Sequence, residues 1–138
     1  MRFVTEVERS VVSDFIKKDK TIRCPIKGDF YAMLDSDTGA VISALCITNH
    51  LSDCGHYRIN GMRTAKENRK NGFSTQVLSY ALRQPKYSGH VIHANALSYS
   101  KHIFERLGFH MIEIANVAGH DEYRFERVIG DGSTEERD

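Results

Sequence analysis

The segment Thr64-Ala-Lys-Glu-Asn-Arg-Lys-Asn-Gly-Phe-Ser74 gathers Arg69, Lys70, Gly72 and Ser74 immediately before an apolar-periodic stretch. A helix entrance offers unpaired backbone N–H groups and partial positive charge, which makes it a ready place for an anion. Gly72 permits close backbone approach, Ser74 and Thr75 add hydroxyls, and Arg69 and Lys70 add full charges. That combination suits a pyrophosphate. The segment is not a P-loop, because G-x-x-x-x-G-K-[ST] is absent, and it does not match the dinucleotide-binding G-x-G-x-x-G. Taken alone, a glycine before a helix is more often just a turn.

Other reactive side chains are scattered. The seven histidines show no metal-ligand spacing, and His90 and His93 would fall on opposite faces of one strand, so no metal is expected. Cys24, Cys46 and Cys54 form neither an even set nor a CxxC pair. They read as reduced thiols of a cytoplasmic protein, with Cys24 and Cys46 acting as small buried hydrophobes.

The elements that must position these groups follow from periodicity. Residues 2–4 could form a short first strand, and Val7, Val11, Val12, Phe15 and Ile16 recur at helical spacing before Lys17, Lys18 and Lys20. Phe30–Leu34 and Val41–Ile47 flank the polar turn Asp35–Gly39 and read as a hairpin. Tyr57–Thr64 extends that meander. A helix is expected over Ser74–Arg83, punctuated by Pro85 and Gly89, then a strand over Val91–Ala94. Ser98 is a plausible N-cap for the next helix, with Tyr99, Ile103, Phe104 and Leu107 on one face. Gly108 follows as a left-handed C′ residue and Phe109 as the apolar C″ residue. Strands near Phe109–Val117 and Asp121–Val128 surround Gly119. The pattern is α+β.

With 138 residues, 41% hydrophobic and 27% charged, the chain suits one ordinary domain over 1–130 with a polar, flexible tail at 131–138. A net charge of +1 argues against general nucleic-acid binding. No apolar run reaches the roughly 18 residues of a membrane span, and the first residues do not open a secretory signal.

Met62-Arg-Thr-Ala-Lys-Glu-Asn-Arg-Lys-Asn-Gly-Phe-Ser74 resembles the acyl-CoA signature R/Q-x-x-G-x-G/A of the GCN5-related N-acetyltransferase (GNAT) superfamily. Arg69, Gly72 and Ser74 fill its fixed places, with serine where glycine or alanine is usual. Ser100-Lys-His-Ile-Phe-Glu-Arg-Leu-Gly-Phe109 is similar to the family's later helix ending Y-E-K/R-L-G-F. The two segments, in this order, cover about residues 57–109. The resemblance implies a mixed central sheet of six to seven strands with splayed central strands, flanked by three to four helices.

The resemblance also implies roles. Backbone groups of Met62, Arg63 and Thr64 would pair with the pantetheine arm, and amides of Arg69, Lys70, Asn71, Gly72, Phe73 and Ser74 would hold the pyrophosphate. The acyl thioester would lie between Met62–Thr64 and the strand ending near Ala94. Asn95 stands near the asparagine that often opens the later helix. Phe104 occupies the position of the tyrosine that usually protonates the leaving thiolate, and it has no proton to give. Tyr99 lies five residues earlier, and Ser100, one turn from Phe104, could donate through water. An ammonium acceptor needs a base, because only the neutral amine attacks a thioester. No carboxylate stands in Tyr57–Thr64; His93 is the best-placed base, with His56, His90 and Cys54 behind it.

The expected activity is therefore transfer of an acetyl group from acetyl-CoA, as co-substrate, to a primary amine by direct attack in a ternary complex. The acceptor would be a small-molecule amine or a protein amine. The alternative is a catalytically weak domain of the same fold that binds acyl-CoA or a partner protein. A homodimer is an assembly such proteins often adopt, though no apolar patch in the sequence decides it.

Overall fold

The computed structural model describes residues 1–49 and 55–130; Cys54 and the expected tail at 131–138 lie outside them. The order is β1 (Arg2–Val7), α1 (Arg9–Lys17), β2 (Asp29–Asp35), β3 (Val41–Asn49), β4 (His56–Thr64), α2 (Phe73–Leu82), β5 (Val91–Ala96), α3 (Lys101–Arg106), β6 (His110–Val117) and β7 (His120–Val128). Short 3₁₀ turns occupy Lys66–Asn68 and Pro85–Tyr87. The strands form one seven-stranded mixed sheet in the order β1-β2-β3-β4-β5-β7-β6. The expected strand count and α+β class are both observed. The described residues divide into two compact units, 1–48 with 59–82, and 49 and 55–58 with 83–130.

In the first unit, β2 runs antiparallel to both β1 and β3. Four consecutive β2 residues, Phe30–Met33, are buried, so both faces of the strand are covered. Phe30 and Ala32 join Val12, Phe15 and Ile16 of α1 in one apolar cluster. Tyr31 points the other way and meets Tyr80 of α2 edge-on, with ring centroids 6.2 Å apart. Val7, expected to open the first helix, instead pairs with Phe30 at the end of β1. Six paired residues outweigh a marginal helical turn, and the first strand runs to Val7 rather than ending at 4.

In the second unit, His56–Arg58 pair parallel to Val91–His93 of β5, and β5 and β6 both run antiparallel to β7. Alternation along β5 buries Ile92, Ala94 and Ala96 and turns His93 and Asn95 to the opposite face. The later helix begins at Lys101, not after Ser98. Residues 97–100 form a turn in which the amides of Ser100 and Lys101 both donate to the Leu97 carbonyl, at 3.0 and 3.1 Å. Its end follows the expectation. Gly108 is left-handed (φ 81°), Phe109 N–H donates to the Phe104 carbonyl at 3.0 Å, and Gly108 N–H to that of Glu105 at 3.2 Å. These two bonds are the Schellman pair, and the Phe104 and Phe109 rings meet 5.4 Å apart as its apolar contact.

Candidate functional site

The glycine turn lies wholly in the first unit. β4 ends at Thr64, and Ala65 N–H donates to the Ile42 carbonyl at 2.8 Å, which anchors the turn to β3. Lys70 and Gly72 are both left-handed, at φ 69° and 75°. That backbone course carries the chain from a 3₁₀ turn into α2. Gln76 N–H donates to the Gly72 carbonyl at 3.1 Å, so Gly72 is the residue from which the helix starts. Among the described residues, the backbone N–H groups of Lys70 through Thr75 have no acceptor. A Cβ built on Gly72 meets nothing within 4 Å, so the turn opens onto space rather than protein. Unpaired amides, a helix N-terminus and two cationic side chains are thus gathered on one exposed turn, chemistry of the kind that suits an anion.

The side chains divide their labour differently from the sequence expectation. Arg69 Nε donates to the Thr64 carbonyl at 3.2 Å, and Asn71 Nδ2 donates to the carbonyls of Asn68 and Arg69, so both brace the turn. The Ser74 hydroxyl, expected to face the anion, is turned inward. It lies 2.6 Å from Thr64 Oγ1, which is 2.8 Å from Ser43 Oγ. Ser43, fully buried on β3, donates to the Arg63 carbonyl at 3.3 Å. A buried hydroxyl needs partners, and these three supply one another.

Met62 and Arg63 are half-buried on β4. The Arg63 guanidinium lies over the Phe15 ring, 4.5 Å from its centroid, and Nε has no partner among the described residues. Nearby, Asp19 is held below the ordinary carboxylate range, first by the hydroxyl and amide of Thr21 and then by the charges of Arg63 and Arg69.

His93, Asn95, Tyr99, Ser100 and Phe104 belong to the second unit. His56 Nδ1 and His93 Nε2 are 2.8 Å apart, within hydrogen-bond distance, with ring centroids 5.1 Å apart in a stacked arrangement. The strand register sets Arg58 of β4 and Glu126 of β7 on either side of His93, and Arg124 beside Asn95. Tyr99 is 73% exposed. Ser100 Oγ reaches only the Leu97 carbonyl, at 3.4 Å. Phe104 is 2% exposed, packed against Phe109 and Phe125 in the core of this unit. His90 stands before β5 rather than across it from His93, with Nδ1 3.1 Å from the Gly55 carbonyl.

The histidine pair and the Ser43 hydroxyl carry no signature in the sequence, because both arise from strand pairing between residues 37 and 21 positions apart. Alternation in β5, once its end at Ala96 is known, is the one signal that places His93 and Asn95 together.

No family model matches the sequence, and no curated protein matches it. Solved structures do match. A Desulfovibrio desulfuricans protein assigned to the GNAT family of acetyltransferases superposes with a TM-score of 0.74 over 94% of this chain and 100% of that one, at 12% identity. The fold is that of the GCN5-related N-acetyltransferases. Salmonella typhimurium yncA, solved with its cofactor acetyl-CoA, gives 0.76 over 96% of both chains at 10% identity. The Escherichia coli ribosomal-protein-S18-alanine N-acetyltransferase gives 0.74 over 94% of this chain and 95% of that one, at 9% identity. The GNAT fold is thus shared with chains that are only 9% to 12% identical to this one. Among the described residues, no helix is long and apolar enough to cross a membrane, and no group of three or more His, Cys, Asp or Glu could hold a metal ion.

Proposed function

We propose that this chain is an acetyl-CoA-dependent N-acetyltransferase acting on a primary amine. The observation that carries the reading is the run of unpaired amides from Lys70 to Thr75 around an open Gly72, in a GNAT fold. Those amides, with the charges of Arg69 and Lys70, would bind the pyrophosphate of acetyl-CoA, and the backbone of Met62, Arg63 and Thr64 would hold the pantetheine arm.

In the reaction the neutral amine attacks the thioester carbonyl, a C–N bond forms, the C–S bond breaks, and the CoA thiolate leaves. Positioning would supply most of the rate, with strand amides polarising the thioester carbonyl. His93 would accept the ammonium proton, with Asn95 beside it. Tyr99 or Ser100, the latter through water, would return a proton to the thiolate, since Phe104 has none to give.

The test combines two measurements. Acetyl-CoA should raise the melting temperature, by an amount equivalent to about 2.7 kcal/mol at a hundredfold excess over Kd. Incubation with an amine panel should then release free thiol. No stabilisation by acetyl-CoA would overturn the reading of the loop.

Phe104 favours a second reading, a domain of this fold that binds acyl-CoA and acts by binding. Its ring is enclosed by Phe109 and Phe125, and the nearest tyrosine in sequence, Tyr99, is exposed. Stabilisation by acetyl-CoA without thiol release for any amine would select it.

A further inference from the structure

Arg63 stands on β4 beside Thr64, and the two side chains leave the strand on opposite faces. Thr64 Oγ1 reaches Ser43 and Ser74, the latter in the first turn of α2. The Arg63 guanidinium instead lies over the Phe15 ring of α1, 4.5 Å from its centroid. An arginine head carries five N–H donors. Here, among the described residues, they meet no hydrogen-bond acceptor and no ion-pair partner. Asp19, held low first by Thr21 and then by the Arg63 charge, spends Oδ1 on the Thr21 amide and hydroxyl at 2.9 and 2.6 Å and forms no ion pair with the arginine. Nε is sealed from solvent while the residue as a whole is half-buried, so the two terminal nitrogens are the end a ligand can reach. A buried donor is ordinarily partnered, and one left open here is explained by an acceptor that arrives from outside the chain.

We infer that the Arg63 side chain binds a carboxylate of the acceptor, so that the amine acetylated belongs to a small amino acid. The two terminal nitrogens form a planar fork that matches the two oxygens of a carboxylate, a fit that a lysine ammonium does not offer. The Phe15 ring on one face and the enclosure of Nε hold that fork in place, so little side-chain freedom is lost when the anion docks. The inference rests on the proposed acetyl-CoA reading and narrows its acceptor to a class. In that reading the backbone of Met62, Arg63 and Thr64 holds the pantetheine arm. The side chain of the same strand residue would then set the acceptor beside the arm, with its carboxylate on Arg63 and its amine left for the thioester.

The test uses the full chain with glycine and 4-aminobutanoate as probes, each paired with its own amide. Binding is read by calorimetry in the presence of CoA, and reaction by thiol release from acetyl-CoA. In at least one pair the acid should bind at least about tenfold more tightly than the amide. Arg63→Gln should bring that ratio to about one, and Arg63→Lys, which keeps the charge without the fork, should leave it between the two values. A role confined to packing on Phe15 would lower the stability of the variants in denaturant without moving the ratio, and that result overturns the inference. Equal binding, or no binding, of acid and amide in both pairs overturns it as well, a comparison that needs no variant to fold. Aminomethylphosphonate binding more tightly than either acid would overturn the assignment to a carboxylate. The failures are distinguishable. Thiol release with acids and amides alike leaves the acetyltransferase reading standing and removes this site. An acid preference that depends on Arg63, without thiol release for any acceptor, keeps the site and removes the acetyltransferase.

Discussion

The hydroxyls of Thr64 and Ser74 stand 2.6 Å apart, joining the last residue of β4 to the first turn of α2. With Ser43 behind them, they fix the turn between at both ends. Ser74→Ala, which installs a residue the GNAT signature ordinarily carries, removes this bond without touching the backbone amides. It should lower stability by about 0.5–1.5 kcal/mol in a denaturant titration while acetyl-CoA binding persists. Loss of binding together with retained stability would mean that the hydroxyl contacts the ligand directly.

Gly72→Leu puts a side chain into space that is empty of protein, at a backbone angle that L-residues avoid. Strain at φ 75° costs about 1–2 kcal/mol. The larger effect should be on acetyl-CoA, whose affinity should fall at least about tenfold as the side chain fills the site of the diphosphate. Calorimetry on folded protein reads both terms, and an unchanged Kd would show that the loop holds no phosphate.

Phe104→Tyr adds a hydroxyl inside an aromatic cluster. If the hydroxyl finds no partner, it costs about 1–3 kcal/mol, visible as a lower melting temperature. If the missing acid limits the reaction, thiol release at saturating amine should rise. A rate that stays the same would place control of the reaction at another step or group.

Burial pushes the Cys46 thiol up from 9.0 to about 12, with the neighbouring Cys24 contributing less. The folded form therefore retains a proton that the unfolded form gives up. Stability from this group is complete below pH 9.0 and declines as pH rises toward 12. Cys46→Ala should flatten the alkaline arm of the stability–pH curve. An alkaline slope identical in the variant would show that other groups set it.

Much of this organisation was legible before any coordinates. Gly108 and Phe109 announced the helix end because the Schellman motif depends on adjacent residues alone. The β2–β3 hairpin was marked by two apolar runs about a glycine turn. The open glycine turn that leads into α2 could be read for the same reason, since a glycine and a helix start are local facts. Local signals failed where distant partners decided. Val7 joined a strand because Phe30 was waiting for it, and Ser74 turned inward because Ser43 and Thr64 lay beneath it. His93 was visible as a strand histidine, but its contact with His56 depends on the parallel pairing of β4 with β5, which periodicity cannot express.

Lys70 and Gly72 hold their unusual backbone angles in a turn braced from within, by Arg69 Nε on the Thr64 carbonyl and Asn71 Nδ2 on the carbonyls of Asn68 and Arg69. The entropy of shaping the loop is therefore settled during folding and is not drawn from the energy of docking. Whatever anion enters should find a rigid mould, so the loop should exchange amide protons at similar rates before and after loading except where the ligand itself shields them.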